Sequence, residues 1–237
     1  MSYKLKFLRP IILFFLIFLN SGCFQDKTVN CDIAASYTPL IIIDAGHGGV
    51  DPGAIAGKIY EKDINLSIAL KLSDFCNQNG LKTEMIRKED ISLHDGDAKT
   101  IHQKKVSDLK NRVKIANSKE NAIYISIHQN TFGESKYFGA QVFYGINEKS
   151  KDLADFIQIT LKENLQENNT RKIKNGKNLY ILKNIEIPAV MVECGFMSNK
   201  EDLKNLTDEN YQTEFSEVLF KGILKYIEDV ETDVGKT

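Results

Sequence analysis

Leu40-Ile41-Ile42-Ile43-Asp44-Ala45-Gly46-His47-Gly48-Gly49 is the stretch around which the rest of the chain arranges itself. The four leading apolar residues, three of them β-branched, read as a short buried strand. The strand runs into a loop where Gly46, Gly48 and Gly49 surround His47. Such a loop lets the backbone turn sharply and lets another body approach closely. A histidine at the end of a buried strand is placed to act as a ligand or a base; the plainer alternative is a glycine turn with an incidental histidine. A phosphate cradle is disfavoured, because neither G-x-G-x-x-G nor a Walker Lys-Ser/Thr follows.

Outward from this stretch the pattern alternates. Glu61 opens a segment in which Ile64, Ile68, Leu72 and Phe75 recur at helical spacing, and Asn79-Gly80 stops it. Leu81–Ile86 reads as a second strand, and Arg87 to Lys104 as a polar surface excursion. Leu109, Val113, Ile115 and Ala116 mark a helix, and Ala122–Ile127 is a third strand apolar enough for the sheet centre. Gly139–Tyr144 reads as a strand, Leu153–Leu165 as an amphipathic helix, and Gln166–Asn178 as a loop. Leu179–Leu182 reads as a short strand and Ala189–Glu193 as a strand introduced by Pro188. A last helix spans 208–229, with Phe215, Leu219, Phe220, Ile223 and Ile227 on one side. Strands separated by helices predict an α/β fold: a three-layer αβα domain with a mostly parallel, twisted central sheet of about six strands. In such sheets the site lies beyond the carboxyl ends of the strands.

Composition narrows the class. With 237 residues the chain suits one domain, and a net charge of −1 leaves no footprint for nucleic acid. The absence of tryptophan argues against an aromatic carbohydrate platform. Lys4, Lys6 and Arg9, the apolar run Pro10 to Leu19, and Asn20-Ser21-Gly22-Cys23 form an export signal or membrane anchor over 1–23. The apolar run is short for a spanning helix, which needs about 20 residues. Cys23 sits as in a lipoprotein cleavage site, although Asn20 replaces the usual apolar residue. Residues 24–38 read as a linker, 39–230 as the catalytic domain and 231–237 as a disordered tail. No Cys-x-x-Cys spacing occurs, so Cys76 and Cys194 are expected as buried free thiols.

The polar residues at the strand ends can then be collected. The first strand delivers His47, the third delivers His128, and Ala189-Val190-Met191-Val192 delivers Glu193; Glu61 opens the first helix. Two imidazoles and a carboxylate are a ligand set for catalytic zinc, and a further carboxylate can serve as its base. Each residue also has a structural reading, as a hydrogen-bonded histidine or a carboxylate that complements a helix dipole. Glu193 resists that reading, because a carboxylate ending an apolar strand is costly without a partner. His94 and His102 fall in the polar excursion and are expected to be solvated.

Four blocks occur in order: Ile43-Asp44-Ala45-Gly46-His47-Gly48-Gly49 with Asp51-Pro52-Gly53-Ala54; Glu61-Lys62-Asp63-Ile64-Asn65-Leu66; Ser126-Ile127-His128-Gln129-Asn130; and Pro188 through Glu193-Cys194-Gly195-Phe196-Met197-Ser198-Asn199. Together they resemble the zinc-dependent N-acetylmuramoyl-L-alanine amidases of the Amidase_3 family, over roughly Leu40 to Asp229. The resemblance implies one Zn²⁺ per chain held by His47, Glu61 and His128, Glu193 as catalytic acid and base, and peptidoglycan as substrate. Gln129, where the family usually has alanine, and Asn130 are the expected substrate contacts. The excursion with Asp90, Leu93-His94-Asp95 and Ser107-Asp108-Leu109-Lys110-Asn111-Arg112, and the stretch Asn169-Thr170-Arg171-Lys172, resemble the spore-cortex, CwlD-type branch. That branch implies muramic-δ-lactam formation and an exported enzyme at the outer face of the cell membrane or in the spore intermembrane space. Members of that branch are candidates for a zinc site ordered by an activating protein partner, and the N-terminal segment implies membrane association. The alternatives that remain are an exported peptidoglycan metallopeptidase and a glycan-binding scaffold with weak or partner-dependent zinc binding.

Overall fold

The computed structural model of the chain describes residues 38–234, so the expected export segment, Cys23, Cys31 and the linker before Thr38 lie outside the described residues. The elements are β1 (Leu40–Ala45), β2 (Ile55–Ala56), β3 (Ile59–Tyr60), α1 (Glu61–Gln78), β4 (Thr83–Met85), α2 (Ile101–Asn117), β5 (Ala122–Asn130) and β6 (Gln141–Tyr144). They continue with α3 (Glu148–Asn164), β7 (Lys174–Asn175), α4 (Tyr180–Asn184), β8 (Ala189–Phe196), α5 (Lys200–Leu206) and α6 (Glu209–Val234). Six strands form one sheet in the order β4-β1-β5-β8-β6-β7, and β2 pairs with β3 in a separate hairpin.

The sheet is the expected mostly parallel one. β4, β1, β5 and β8 run together, whereas β6 lies antiparallel to β8 and carries β7 parallel to itself. β1 and β5 lie inside the sheet, and their leading residues are apolar on both faces. Ile41, Ile42, Ile43, Ile123, Tyr124 and Ile125 are wholly buried. Strand alternation divides them: Ile43, Ile125, Val190 and Val192 face α1, α3 and α6, while Ile42, Tyr124, Ala189 and Met191 face α2 and α4. The layers are therefore helix, sheet, helix.

Several boundaries differ from the sequence reading. Leu179–Leu182 is no strand; the helix α4 covers Tyr180–Asn184. The sheet edge beside β6 is already taken by β7, whose Asn175 pairs with Tyr144, so Ile181 and Leu182 reach the core through one helical turn instead. The polar excursion ends earlier than Lys104, because Thr100 and Gln103 form a capping box that starts α2 at Ile101. Helix α5 was unread: the Asn199 side chain accepts from Glu201 N and Asp202 N, and that cap lay hidden inside the last motif block. Helix α6 continues through Val234 into the stretch expected as a disordered tail, since the first glycine after it is Gly235.

Candidate active site at the strand ends

His47, Glu61 and His128, far apart in sequence, meet at the carboxyl ends of β1 and β5. Their ligand atoms all lie within 4.8 Å of one another. Glu61 Oε1 is 3.2 Å from His47 Nε2 and 3.0 Å from His128 Nδ1. The two rings meet edge to face with centroids 4.9 Å apart. Glu61 is the first residue of α1 and is 4% exposed. Its second oxygen accepts from Ala54 N at 2.8 Å, and Oε1 also accepts from Gln129 N at 3.1 Å. Burial penalises its charge, yet the hydrogen bonds from both histidines outweigh that and hold it well below the usual carboxylate range.

The loop is shaped for this contact. His47 adopts φ 63, a left-handed conformation uncommon for a residue with a side chain. Its Nδ1 is 2.8 Å from Asp51 Oδ2, which fixes the ring and leaves Nε2 facing Glu61. Burial opposes protonation of His47, but Asp51 and Glu61 together keep it up at about 9. At Gly46 a Cβ would stand 2.2 Å from His128 Cε1, so only glycine lets the histidine of β5 lie against the β1 loop. At Gly53 a Cβ would meet Glu61 Oε2 at 2.5 Å. Two imidazole nitrogens and a carboxylate oxygen converging on one point, with a carboxylate orienting one ring, is a donor set that fits a divalent cation of the zinc kind.

Two buried arginines lock the same loop from behind. Arg87 donates from Nε to Ala45 O at 2.8 Å, and from Nη2 to Gly46 O at 3.0 Å and Lys62 O at 2.7 Å. Arg112 donates to Ala45 O at 3.0 Å and to His47 O at 2.7 Å, and pairs with Asp44 and Asp108. Tyr124 donates its hydroxyl to Asp44. Burial raises Asp44, but Arg112 and the Tyr124 hydrogen bond overcome it and lower its pKa below the ordinary value. Sequence reading missed the loop-holding roles of Arg87 and Arg112. The signal for Arg112 was the Asp108–Arg112 spacing of one helical turn; for Arg87 it was an arginine at the carboxyl end of the second strand.

Glu193 lies beside this group, paired in register with His128 across β5 and β8. Its Oε2 is buried and has no hydrogen-bond partner among the described residues. Burial pushes its carboxyl up to about 7, and Glu61 adds to the rise, while His128 and His47 oppose it. A carboxyl poised near neutrality can both take and return a proton.

The remaining expected residues fall out differently. Gln129 is 4% exposed and donates to Asn65 Oδ1 at 3.1 Å, on the α1 face of the sheet. Alternation along β5 turns it away from the face of His128 and Glu193. Asn130 is half-buried at the end of β5. His102 is exposed on α2, whereas His94 is half-buried beside Ser92 Oγ at 2.9 Å rather than fully solvated. Cys76 and Cys194 are free and buried, and burial pushes the Cys76 thiol up to about 12. No helix among the described residues is long and apolar enough to cross a membrane.

A mostly parallel sheet, covered on both faces and with its polar groups gathered at the strand ends, is the architecture of an α/β enzyme. Residues 41–225 match the Amidase_3 family, N-acetylmuramoyl-L-alanine amidase, and the chain belongs to that family. It is 35% identical to the germination-specific N-acetylmuramoyl-L-alanine amidase of Bacillus subtilis, over 95% of this chain and 93% of that one. Among solved structures it is similar to the CwlD amidase from Clostridioides difficile in complex with the GerS lipoprotein. That match has 42% identity and a TM-score of 0.78, covering 81% of this chain and 99% of that chain. The AmiC2 amidase of Nostoc punctiforme matches at 29% identity and TM-score 0.69, over 81% and 98% of the two chains.

Proposed function

We propose that this amidase is a zinc enzyme of spore-cortex maturation. It would cleave the amide between the lactyl group of N-acetylmuramic acid and L-alanine, and His47, Glu61 and His128 would hold the ion. The observation that carries the reading is the convergence of three ligand atoms within 4.8 Å beside a carboxylate whose Oε2 has no hydrogen-bond partner among the described residues. When bound, zinc supplies a Lewis acid for the amide carbonyl and acidifies water. Glu193 takes the proton of the attacking water and passes it to the departing nitrogen. Its Oε2, without a hydrogen-bond partner among the described residues, is free to make both transfers. Asp51 keeps the His47 ring in one orientation, and Arg87 and Arg112 keep the loop carbonyls fixed, so the ligands need not reorganise during the reaction.

The spore role is supported by the germination-specific amidase and the CwlD amidase among the similar proteins. A protein partner is supported by the complex in which that CwlD amidase was solved. We assign 1–23 to export or membrane anchoring, 24–38 to a linker and 39–230 to the catalytic domain, which places the enzyme outside the cell membrane or in the spore intermembrane space.

Elemental analysis of the purified domain beside its Glu193→Ala variant tests the ligand set. About one zinc per chain in both is expected. Digestion of peptidoglycan by the zinc-loaded protein should free the amino group of L-alanine and leave muramic acid intact. A zinc-loaded protein that cuts only between amino acids is a metallopeptidase and overturns the reading.

A further inference from the structure

One basic patch remains outside this machinery, and it begins where Glu193 ends. In the antiparallel pairing of β6 and β8, Gln141 stands directly opposite Glu193. Residues so paired share one face of the sheet, with Cβ atoms about 5 Å apart. His128, Glu193 and Gln141 therefore form a row across three strands. The row does not stop there, because Gln141 Oε1 accepts from Arg171 Nη1 at 3.3 Å.

Arg171 is held in one pose by uncharged groups, while Asp202 acts on its charge from beyond ion-pair range. Its Nε donates to Phe138 O at 2.7 Å, and its guanidinium lies 4.3 Å from the ring centroid of Phe196. Of the guanidinium's roughly five N–H donors, the remainder have no acceptor within hydrogen-bond range among the described residues. Among the described residues no carboxylate lies in ion-pair range of it either. An open cavity of about 370 Å³ adjoins it, lined by Lys136, Tyr137, Gln141, Thr170, Arg171 and Lys174 among others, with no acidic residue in the lining. Lys136 has one exposed ion pair, with Glu134, and Lys174 lies 5.9 Å from the Phe143 ring.

We propose that Arg171, with Lys174 and Lys136, is a subsite for a carboxylate on the peptide part of the substrate. The inference rests on the amidase reading above. Glu193 protonates the nitrogen that departs with the peptide, so the peptide leaves the scissile bond on the Glu193 side of the ligand group, toward β6. Neighbouring strands stand ~4.8 Å apart, so the patch lies about 5–10 Å beyond Glu193. That is the reach of roughly two to three extended residues. A carboxylate borne by the second or third residue of the peptide meets a planar guanidinium already oriented by Phe138, Gln141 and Phe196, which is the geometry that favours a paired hydrogen bond.

The test uses the zinc-loaded enzyme and two glycan-linked substrates, identical except that the second peptide residue carries a free carboxylate or a carboxamide. The wild type should favour the carboxylate substrate by about tenfold in kcat/KM, through KM, the size of one charge-assisted hydrogen bond. Arg171→Gln should abolish that preference by weakening the carboxylate substrate alone, Arg171→Lys should restore part of it, and Lys174→Ala should reduce it less. Zinc content and melting temperature of each variant separate this from a folding defect. Equal use of both substrates by the wild type, or an equal loss for both in Arg171→Gln, overturns the subsite while leaving the amidase intact. Failure of the zinc-loaded wild type to cut either substrate overturns the amidase reading and the subsite with it.

Discussion

The two halves of the site are built on opposite principles. On the β1–β5 side almost everything except Gln129 Oε1 is tied: Glu61 takes five hydrogen-bonding partners, His47 is braced by Asp51, and two arginines grip the carbonyls of Ala45, Gly46 and His47. On the β8–β6 side Glu193 Oε2 has no hydrogen-bond partner among the described residues, and Arg171 borders an open cavity. A ligand group must hold still, and strong fixed hydrogen bonds achieve that at the cost of strain at His47. A group that exchanges protons, or that awaits a substrate's charge, loses its use if the fold satisfies it first. The lesson is that the unsatisfied side, not the well-bonded side, is where reaction and recognition are to be sought.

The contrast can be broken most severely at Glu193. Glu193→Gln should lower turnover by about 10²–10⁴-fold with zinc retained, while His128→Ala should lose the zinc itself; elemental analysis with turnover on peptidoglycan checks both. The next effect belongs to the tied side. Arg112→Ala strands the buried Asp44 charge and should cost about 3–5 kcal/mol. Chemical denaturation would show it as a lower midpoint at unchanged slope, and an unaltered midpoint would refute the bracing role.

A smaller effect appears in the pH dependence of the chelated, metal-free protein. Glu193 and His47 both have raised folded pKa values, about 7 and about 9. Each favours the folded state most when protonated, below its unfolded value. The Glu193 contribution is therefore lost as pH rises from about 4.5 to 7, and that of His47 from about 6.5 to 9. Glu61 and Asp51 have lowered values, so their contributions are lost instead as pH falls below the usual carboxylate range. Melting temperature should decline from pH 5 to 9, and Glu193→Gln should flatten the lower part of that decline. The smallest effect is at Gln129. Gln129→Ala leaves Asn65 Oδ1 without its donor and should cost about 1–3 kcal/mol in denaturation. It should leave KM unchanged, whereas a residue touching substrate would raise it.

Much of this was legible before any coordinates. Apolar runs separated by helical periodicity gave the parallel strands, because burial on both faces leaves a continuous apolar signature in β1, β5 and β8. The rule that sites gather at carboxyl ends of strands brought His47, His128 and Glu193 together without any contact being known. What escaped was set by tertiary context. Two-residue strands such as β7 have no period to detect, and Ile181 and Leu182 are apolar whether the backbone turns or extends. The burial of Gln129 against Asn65 escaped because a motif read as one block hides the alternation that puts neighbours on opposite faces. Arg87 escaped because a charged side chain with its head buried among carbonyls is indistinguishable, in sequence, from one waving in solvent.

Helix α6 packs on both α1 and α3, with Phe215, Leu219 and Ile223 in the core and Ser216 Oγ donating to Ile68 O at 3.1 Å. Helix α1 is thus held between the sheet on one side and, on the other, a helix whose contact Ser216 lies 148 residues further along the chain than Ile68. That layer closes only when two distant segments meet, so it is a slow, long-range step of folding. A variant cut before Phe215 should leave part of the α1 and α3 surface uncovered and be cleared by proteases, even though it keeps all four proposed catalytic and ligand residues.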